Sequence, residues 1–265
     1  MSAPDGEGAE KPGTSQGRRD WDEMGRLDAL WAILSDPSKR YGRWDLDEFL
    51  ATGREEINGV LAVARQWDLP RHSDRALDFG CGVGRLTRAM ADHFSTTVGV
   101  DISDVMVSRA RALHAGNPRC SFEVLPDDGL TARPDRSIDF IYSRIVLQHI
   151  PDGRVTRARI REFVRLLAVD GLLVFQLPAA IPLRRRVQVR PRLYALLRRF
   201  RVPEEILYRQ FGLHPIRMRS IPEAEVMSLI TAGGARVLYV ERVSVESTGI
   251  EDRVYWATRS PEPAK

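Results

Sequence analysis

An α/β fold built on a doubly wound parallel sheet is predicted for this chain of 265 residues. From Arg75 onwards, short apolar runs alternate with amphipathic segments, the pattern of strands joined by crossover helices. Five such runs precede residue 178, enough for a sheet with helices on both faces. The composition, 43% hydrophobic and 29% charged, allows one large core. We therefore expect a single α/β domain with appended helices rather than two independent domains.

The N-terminal part of the chain divides into a tail and a helical segment. Residues 1–20 combine Gly, Ser and Pro with acidic residues and lack the apolar core of a signal peptide, so a disordered tail is expected. Residues 21–73 are expected to be helical, because apolar residues recur at helical spacing in two stretches. These are Leu27, Leu30, Trp31 and Leu34, then Ile57, Leu61 and Ala64.

The α/β domain is expected over residues 74–259. Its first five strands are predicted at Ala76–Phe79, Thr97–Asp101, Ser121–Leu125, Ile138–Ser143 and Leu172–Leu177. Helices lie between them. Ser103 can N-cap one of these helices, and the inward stripe of another is formed by Ile160, Phe163, Val164 and Leu167. A further helix is expected near Glu223–Thr231, followed by two closing strands, Val237–Val240 and Val254–Thr258.

A basic helical insertion is expected after the fifth strand, at about residues 178–220. Residues 184–201 hold eight Arg and no acid, whereas the whole chain carries a net charge of +4, so the basic character is local. An amphipathic helix is predicted after Pro191 from the spacing of Leu193, Leu196, Leu197 and Phe200, with Arg192, Arg198, Arg199 and Arg201 around its polar rim. Three roles stay open: a lid that recognises a carboxylate or phosphate on a substrate, a solvated face, or a helix on a membrane surface.

Composition also disfavours several classes of protein. The chain has no run of about 18 uninterrupted apolar residues, so no membrane span is expected. Its only cysteines, Cys81 and Cys120, provide neither a disulfide framework nor a metal-ligand spacing. We therefore expect no metal site and a reducing, cytoplasmic location.

Glycines at alternate positions follow the first predicted strand. Gly80, Gly82 and Gly84 lie at the first βα turn, where the backbone of an open α/β sheet approaches its ligand closely. A dinucleotide fingerprint would need its third glycine at position 85, which is Arg85. The spacing therefore disfavours NAD and fits a loop that curls around an amino-acid-bearing ligand without a pyrophosphate.

An acidic residue ends the second predicted strand. Asp101 lies 23 residues after Asp78, where a carboxylate can accept two hydrogen bonds from a ribose diol. The alternative is that the glycines only tighten a turn and that Asp101 caps the helix that begins after Ser103. The two features together at this spacing favour a binding site for an adenosine ribose.

At these residues the chain resembles the class I S-adenosylmethionine (SAM)-dependent methyltransferases, in particular their small-molecule group, over about Asp74–Arg259. The resemblance rests on Ala76–Gly84, on Val98–Ser103 with Met106, and on Asp139–Ser143 with Leu147–Pro151. It implies a Rossmann-like, seven-stranded sheet whose last strand is antiparallel. It also implies SAM as the cofactor, lying across the glycine loop.

The resemblance implies further site residues. Asp127 or Asp128, beside Gly129, would bind the adenine amino group, and Ile102 and Met106 would enclose the adenine ring, although either is as often a core residue. The N-terminal segment would fold over SAM, or its aromatic residues would only pack against the domain. The predicted cofactor site comprises Asp78, Gly80, Cys81, Gly82, Gly84, Asp101, Ile102, Met106, Asp127, Asp128, Gly129 and Ser143.

The methyl acceptor is expected past the fourth strand, around Ser143 and Arg144. His149 lies six residues beyond Ser143 in a short helical turn, and its unperturbed pKa near 6.5 suits a general base at neutral pH. The alternative is that His149 holds the loop before Pro151. His149 is the candidate catalytic residue.

The predicted function is methyl transfer from SAM to an O or N atom of a small molecule of the sugar or secondary-metabolite type. An anionic acceptor would suit the Arg-rich insertion. The alternatives are a nucleic-acid methyltransferase and a non-catalytic SAM-binding protein. No nucleic-acid partner is expected, because residues 143–146 read Ser-Arg-Ile-Val where exocyclic-amine DNA methyltransferases carry Asp/Asn-Pro-Pro-aromatic.

Overall fold

A computed structural model of the chain describes residues 12–182, 187–245 and 249–261. Its strands are β1 (Arg75–Phe79), β2 (Thr96–Asp101), β3 (Cys120–Val124), β4 (Ile138–Ser143), β5 (Leu167–Gln176), β6 (Arg236–Val245) and β7 (Ile250–Thr258). They form a seven-stranded sheet in the order β3-β2-β1-β4-β5-β7-β6. β7 runs antiparallel to both of its neighbours, and the β1–β5 pairs are parallel. The predicted doubly wound sheet with an antiparallel last strand is confirmed.

The helices are α1 (Pro12–Ile33), α2 (Leu46–Ala64), α3 (Arg85–Met90), α4 (Asp104–Leu113), α5 (Gly153–Leu166), α6 (Val189–Arg199), α7 (Glu204–Arg209) and α8 (Glu223–Ala232). Short 3₁₀ helices occupy Pro37–Lys39, Arg65–Trp67 and Leu147–His149. The predicted N-cap of α4 is confirmed, because the Ser103 hydroxyl oxygen accepts a hydrogen bond from the Met106 backbone N–H at 3.1 Å.

Both faces of the sheet are covered, which is why its central strands are apolar along their length. On one face α5 and α8 pack against the strands, with Phe163 of α5 and Phe175 of β5 in the same core cluster. On the other face α2 and α3 pack against Phe140 of β4 and Trp256 of β7. The α5 stripe is confirmed except at its last member, because Leu167 begins β5 and is buried there.

The disordered tail predicted over residues 1–20 is wrong from Pro12 onwards, where α1 begins; residues 1–11 lie outside the described residues. The guanidinium of Arg18 approaches the carboxylates of Asp104 at 3.4 Å and Asp127 at 3.3 Å. Met24 of the same helix is fully buried. These contacts with the α/β domain order a stretch whose local composition disfavours a helix.

The insertion after β5 contains α6 and α7, which pack on each other around the buried residues Tyr194, Leu207 and Leu213. Residues 183–186 of the lid segment predicted at about 178–220 lie outside the described residues. The insertion contacts α1 through Tyr208, whose hydroxyl donates to the Asp28 carboxylate at 2.9 Å. The predicted amphipathic helix is present as α6, but Leu193, Leu196 and Phe200 are exposed.

None of the helices within the described ranges combines the length and the apolar character that a membrane span requires.

Candidate functional site

A cleft at the carboxyl edge of β1, β2, β3 and β4 contains about 1100 Å³ of space, part of which is open to solvent. α1 borders it on one side and the 3₁₀ helix Leu147–His149 on another. The predicted site residues that line it are Gly80, Gly82, Asp101, Ile102, Met106, Asp127 and His149. The topology thus brings together residues from the ends of four strands and the segments that follow them, as parallel strands with a common carboxyl edge do.

The glycine loop crosses the end of β2. The backbone N–H groups of Gly80 and Cys81 donate to the Val100 carbonyl at 2.7 and 3.0 Å. Gly80 and Gly82 have positive φ angles of 83° and 53°. A Cβ at Gly80 would overlap the Val146 side chain, and one at Gly82 would lie 2.5 Å from Ile33 Cδ1. Only glycine fits at these two positions, and the loop therefore presents bare backbone to the cleft.

The Asp101 carboxylate is held by two backbone N–H groups. One oxygen accepts from Gly82 at 2.8 Å and the other from Ser103 at 2.9 Å. Burial raises the pKa of Asp101, and these two hydrogen bonds oppose the rise. A carboxylate offers about four acceptor positions, so both oxygens keep acceptor capacity on the cleft side. A fixed carboxylate of this kind can take up a vicinal diol.

Asp127 and Asp128 differ in their surroundings. Asp127 lines the cleft and accepts a hydrogen bond from Arg18 at 3.3 Å. Asp128 accepts from the Thr131 hydroxyl at 2.8 Å and is not among the residues that line the cleft. The geometry therefore favours Asp127 where the sequence left both open. Gly129, with a φ angle of 84°, leaves space for the guanidinium of Arg159.

Four predicted residues support the loop from behind and are not among those that line the cleft. The Asp78 carboxylate is buried and accepts from the Thr87 hydroxyl at 2.6 Å. Burial raises its pKa to about 7, against the opposing effects of Thr87 and the nearby Arg85. The buried Ser143 hydroxyl donates to the Phe79 carbonyl at 2.9 Å.

Cys81 and Gly84 are the other two supporting residues. Burial raises the pKa of the Cys81 thiol well above its ordinary range, so the thiolate that a nucleophile requires is disfavoured. Gly84 has a φ angle of 86°, and a Cβ there would lie within 2.8 Å of both Phe122 and His114. Its role in this structure is close packing at the start of α3.

The segment after β4 carries backbone strain where it borders the cleft. Ile145 has a φ angle of 57°, a conformation that β-branched residues rarely adopt. Its N–H donates to the Gln176 side-chain oxygen at 2.8 Å, a contact that holds this conformation. Arg144, which is 45% exposed and lines the cleft, lies 3.7 Å from Glu56. Strained backbone that is fixed by tertiary contacts is typical of functional sites.

His149 is oriented by the insertion. Its Nδ1 lies 2.6 Å from the Arg217 carbonyl oxygen. Because a carbonyl can only accept, Nδ1 carries the proton, and in the neutral ring Nε2 is the acceptor. Burial lowers the pKa of His149, although the hydrogen bond to Arg217 opposes this effect. The ring of Trp21 packs against the imidazole edge-on, with centroids 5.6 Å apart.

Sequence reasoning missed the part of the cleft that the first residues of α1 provide, because residues 12–20 were assigned to a disordered tail. Gly17, Arg18 and Trp21 all line it. The helical spacing of the apolar residues extends back from Trp31 through Met24 only as far as Trp21, where the helical segment was predicted to begin. Residues 12–20 contain no large apolar residue, so the sequence carries no periodic signal for the first turns of α1.

The sheet order, the single antiparallel strand and the glycine loop together define a Rossmann-like methyltransferase fold. A family model described as a methyltransferase domain matches residues 50–210, more than half of the chain. The chain therefore belongs to the class I SAM-dependent methyltransferases.

The curated relatives are similar to this chain over only part of their own length. Trans-aconitate 2-methyltransferase of Streptomyces avermitilis is 36% identical over 141 residues, 51% of each chain. Ubiquinone biosynthesis O-methyltransferase of Paracidovorax citrulli is 33% identical over 112 residues, 41% of this chain and 46% of that protein. The chain thus spans about half the length of these relatives.

A solved structure extends the similarity of the fold to almost the whole chain. Magnesium protoporphyrin IX methyltransferase from Synechocystis PCC 6803, solved with bound S-adenosylhomocysteine (SAH), superposes on this chain with a TM-score of 0.59. It is 20% identical, and the alignment covers 93% of this chain and 99% of that chain. At this identity the similarity shows the fold alone.

Proposed function

We propose that this protein transfers the methyl group of SAM to an oxygen or nitrogen atom of a small molecule. The observation that carries the proposal is the placement of His149, which lines the same cleft as Asp101 and whose Nδ1 lies against the Arg217 carbonyl, so that Nε2 is the acceptor of the neutral ring. A cleft that contains both a carboxylate able to bind a ribose and a neutral imidazole suits a reaction in which a nucleophile loses a proton.

The residues of the cleft fit the cofactor. Asp101 would bind the ribose hydroxyls, Asp127 the adenine amino group, and Ile102 and Met106 the faces of the adenine ring. The bare backbone at Gly80 and Gly82 leaves room for the methionine part, since any side chain there would overlap Val146 or Ile33. When bound, SAM supplies an electrophilic methyl group on a sulfonium.

The acceptor would lie between the segment after β4 and His149. Nε2 of His149 would accept the proton that an acceptor hydroxyl loses as it attacks, or the proton that a neutral amine releases once it has been methylated. Arg144 would bind an anionic group of the acceptor, because its side chain lines the cleft and is 45% exposed, while Tyr142 and Glu56, at 3.7 Å, hold it in place. Fixing the acceptor at both points would supply the alignment that an in-line displacement needs.

The experiment is turnover of SAM with a panel of carboxylates, including trans-aconitate, and of phenols and amines. In His149→Ala, kcat should fall by about 10²–10⁴ while SAH affinity, measured by calorimetry, stays unchanged. His93→Ala is the matched control, since His93 is exposed and hydrogen bonded to Asn58 away from the cleft. Full activity of His149→Ala would assign that residue a structural role, and no turnover with any acceptor would favour a non-catalytic SAM-binding protein.

The pH dependence gives a second readout of His149. Because burial lowers its pKa from 6.5, the imidazole is neutral at pH 7 and its base form is lost only on further acidification. We expect kcat to be level near neutral pH and to fall along an acid limb whose midpoint lies below 6.5. An acid limb centred above 6.5 would contradict His149 as the base.

A further inference from the structure

α6 carries an apolar stripe on its solvent-facing side. Val189, Leu193 and Leu196 of α6 are 63%, 42% and 52% exposed, and Phe200, the C-cap of the helix, is 72% exposed. Their spacing of i, i+4, i+7 and i+11 places them within about 60° of one another around a helix of 3.6 residues per turn. Four large apolar side chains are thus aligned on one exposed face.

This stripe is not the face by which α6 packs on the rest of the protein. Tyr194, on a different face of the helix, is 4% exposed and lies in a small core with Leu207 and Leu213. α6 is therefore already anchored, and its stripe is a second apolar surface. An exposed, contiguous apolar surface of this kind marks an interaction site.

Unpaired arginines flank the stripe. Arg192 and Arg199 lie on one side of it around the helix and Arg190 on the other, by the same helical geometry. Within the ranges that the structure describes, none of the three forms an ion pair with a carboxylate. Arg198 differs, because it turns towards the core and pairs with Glu204 at 2.8 Å. The stretch 184–201 contains no acidic residue that could neutralise Arg190, Arg192 and Arg199.

We propose that α6 docks this protein onto an anionic lipid surface. The stripe of Val189, Leu193, Leu196 and Phe200 would enter the boundary between headgroups and acyl chains, with the flanking guanidinium groups on lipid phosphates. A second copy of the chain fits less well, since pairing two stripes would bring their arginine flanks together. A nucleic acid would match the arginines but leave the apolar stripe without a partner.

The docking surface is connected to the cleft through the insertion. Tyr208 joins the insertion to α1 at Asp28, and the Arg217 carbonyl holds His149. The proposal does not depend on methyl transfer, because it concerns the outer face of α6 alone.

The test is co-sedimentation of the full chain with phosphatidylcholine vesicles that contain or lack phosphatidylglycerol. We expect binding to the anionic vesicles only, and weaker binding at high salt. The double variant Arg192→Gln/Arg199→Gln should weaken binding about 30-fold, on the basis of about 1 kcal/mol for each arginine. The double variant Leu193→Glu/Phe200→Glu should abolish it.

The matched control is Val63→Glu, at an apolar position of α2 that is 43% exposed, which should bind as the wild type does. A thermal shift with SAH establishes that each variant is folded and tests the cofactor site separately. Failure of the wild type to bind anionic vesicles, or equal binding to neutral ones, would overturn the proposal. So would a dimer that Phe200→Glu converts to a monomer, or binding to duplex nucleic acid that depends on Arg192 and Arg199.

Discussion

Four aspartates beside the glycine loop and the ends of β1–β3 look alike in the sequence, but their surroundings divide them into two pairs. Asp101 and Asp127 line the cleft. Asp78 and Asp128 instead accept hydrogen bonds from the hydroxyls of Thr87 and Thr131, respectively. A carboxylate that is already satisfied within the protein supports the site, whereas one that faces the cleft can bind a ligand.

The two neighbouring aspartates provide a matched test of the adenine end of the cleft. Asp127→Ala should weaken SAH binding by about 1–3 kcal/mol, because a hydrogen bond to a charged group is lost. Asp128→Ala removes only the contact with Thr131 and should leave the affinity within about 0.5 kcal/mol of the wild type. Isothermal titration calorimetry on both variants makes the comparison. The reverse order of effects would place Asp128 in the site.

Asp78 makes folding stability depend on pH. Its pKa is about 7 in the folded protein and near 3.8 when unperturbed. Between these values the folded protein holds a proton that the unfolded chain has released, so this group's contribution to stability is present at low pH and is lost as pH rises towards 7.

The isosteric variant Asp78→Asn removes this titration. The free energy of unfolding of the wild type relative to Asp78→Asn should fall by up to about 1.4 kcal/mol per pH unit between about pH 4 and 7. Urea unfolding of both proteins across this range measures the difference. A difference that stays constant with pH would show that Asp78 is already ionised in the folded protein.

Residue types and their spacing predicted which loops form the site but not the direction of each side chain. Gly80, Gly82 and Asp101 could be placed because their roles follow from strand ends and backbone geometry. The inward turn of Ser143 towards the Phe79 carbonyl depends on a tertiary contact, which a sequence pattern does not encode. The same holds for His149, whose tautomer is set by Arg217, 68 residues away.

Among the elements, α1 contributes most to the cleft beyond what the sequence predicted. Asp22 accepts from the Ser103 hydroxyl at 2.6 Å and so attaches α1 to the N-terminus of α4. The helix then passes the glycine loop, with Ile33 beside Gly82. α1 is therefore a cover of the cleft, held by these polar contacts and by the apolar packing of Met24 and Trp31.

Ligand binding should stabilise α1 more than other helices. Because Gly17, Arg18, Trp21, Ala32 and Ile33 line the cleft, SAH should slow amide hydrogen exchange across α1. α8 is the control, since none of its residues is among those that line the cleft, and its exchange should change little. Hydrogen-exchange mass spectrometry with and without SAH measures both helices. Unchanged exchange in α1 would rule it out as a cover for this ligand.

The elements themselves followed closely from the sequence where apolar patterns were strong. β4 was predicted at its observed bounds, and β5 begins five residues earlier than predicted, at Leu167. β6 proved longer because Glu241, Arg242 and Ser244, beyond its apolar run, also pair in the sheet. The helical pattern of α6 was also recognised. The face by which α6 packs was not predicted, because Pro191 and Tyr194 are buried and the leucine stripe is not. Helical periodicity does not tell which of two apolar faces meets the core.

At the scale of the whole molecule, the packing of α2 and α3 decides which cofactor class can bind. A dinucleotide needs an open helix N-terminus for its pyrophosphate. Here the start of α3 is filled: Arg85 is 4% exposed and pairs with Glu56 of α2 at 2.9 Å. His114 and Phe122 cover Gly84. The fold therefore leaves the glycine loop and the β2 end, but not the helix terminus, for a ligand.

This packing predicts that SAH stabilises the protein against heat and that NAD does not. At a ligand concentration of 100 times Kd, binding adds about 2.7 kcal/mol, which corresponds to a rise in Tm of about 5–10 °C for a chain of this size. Asp101→Ala should reduce the SAH shift, since the ribose loses its fixed carboxylate. Differential scanning fluorimetry with both ligands measures the shifts. A rise with NAD and none with SAH would mean that the buried start of α3 opens in solution, contrary to its packing against α2 and Phe122.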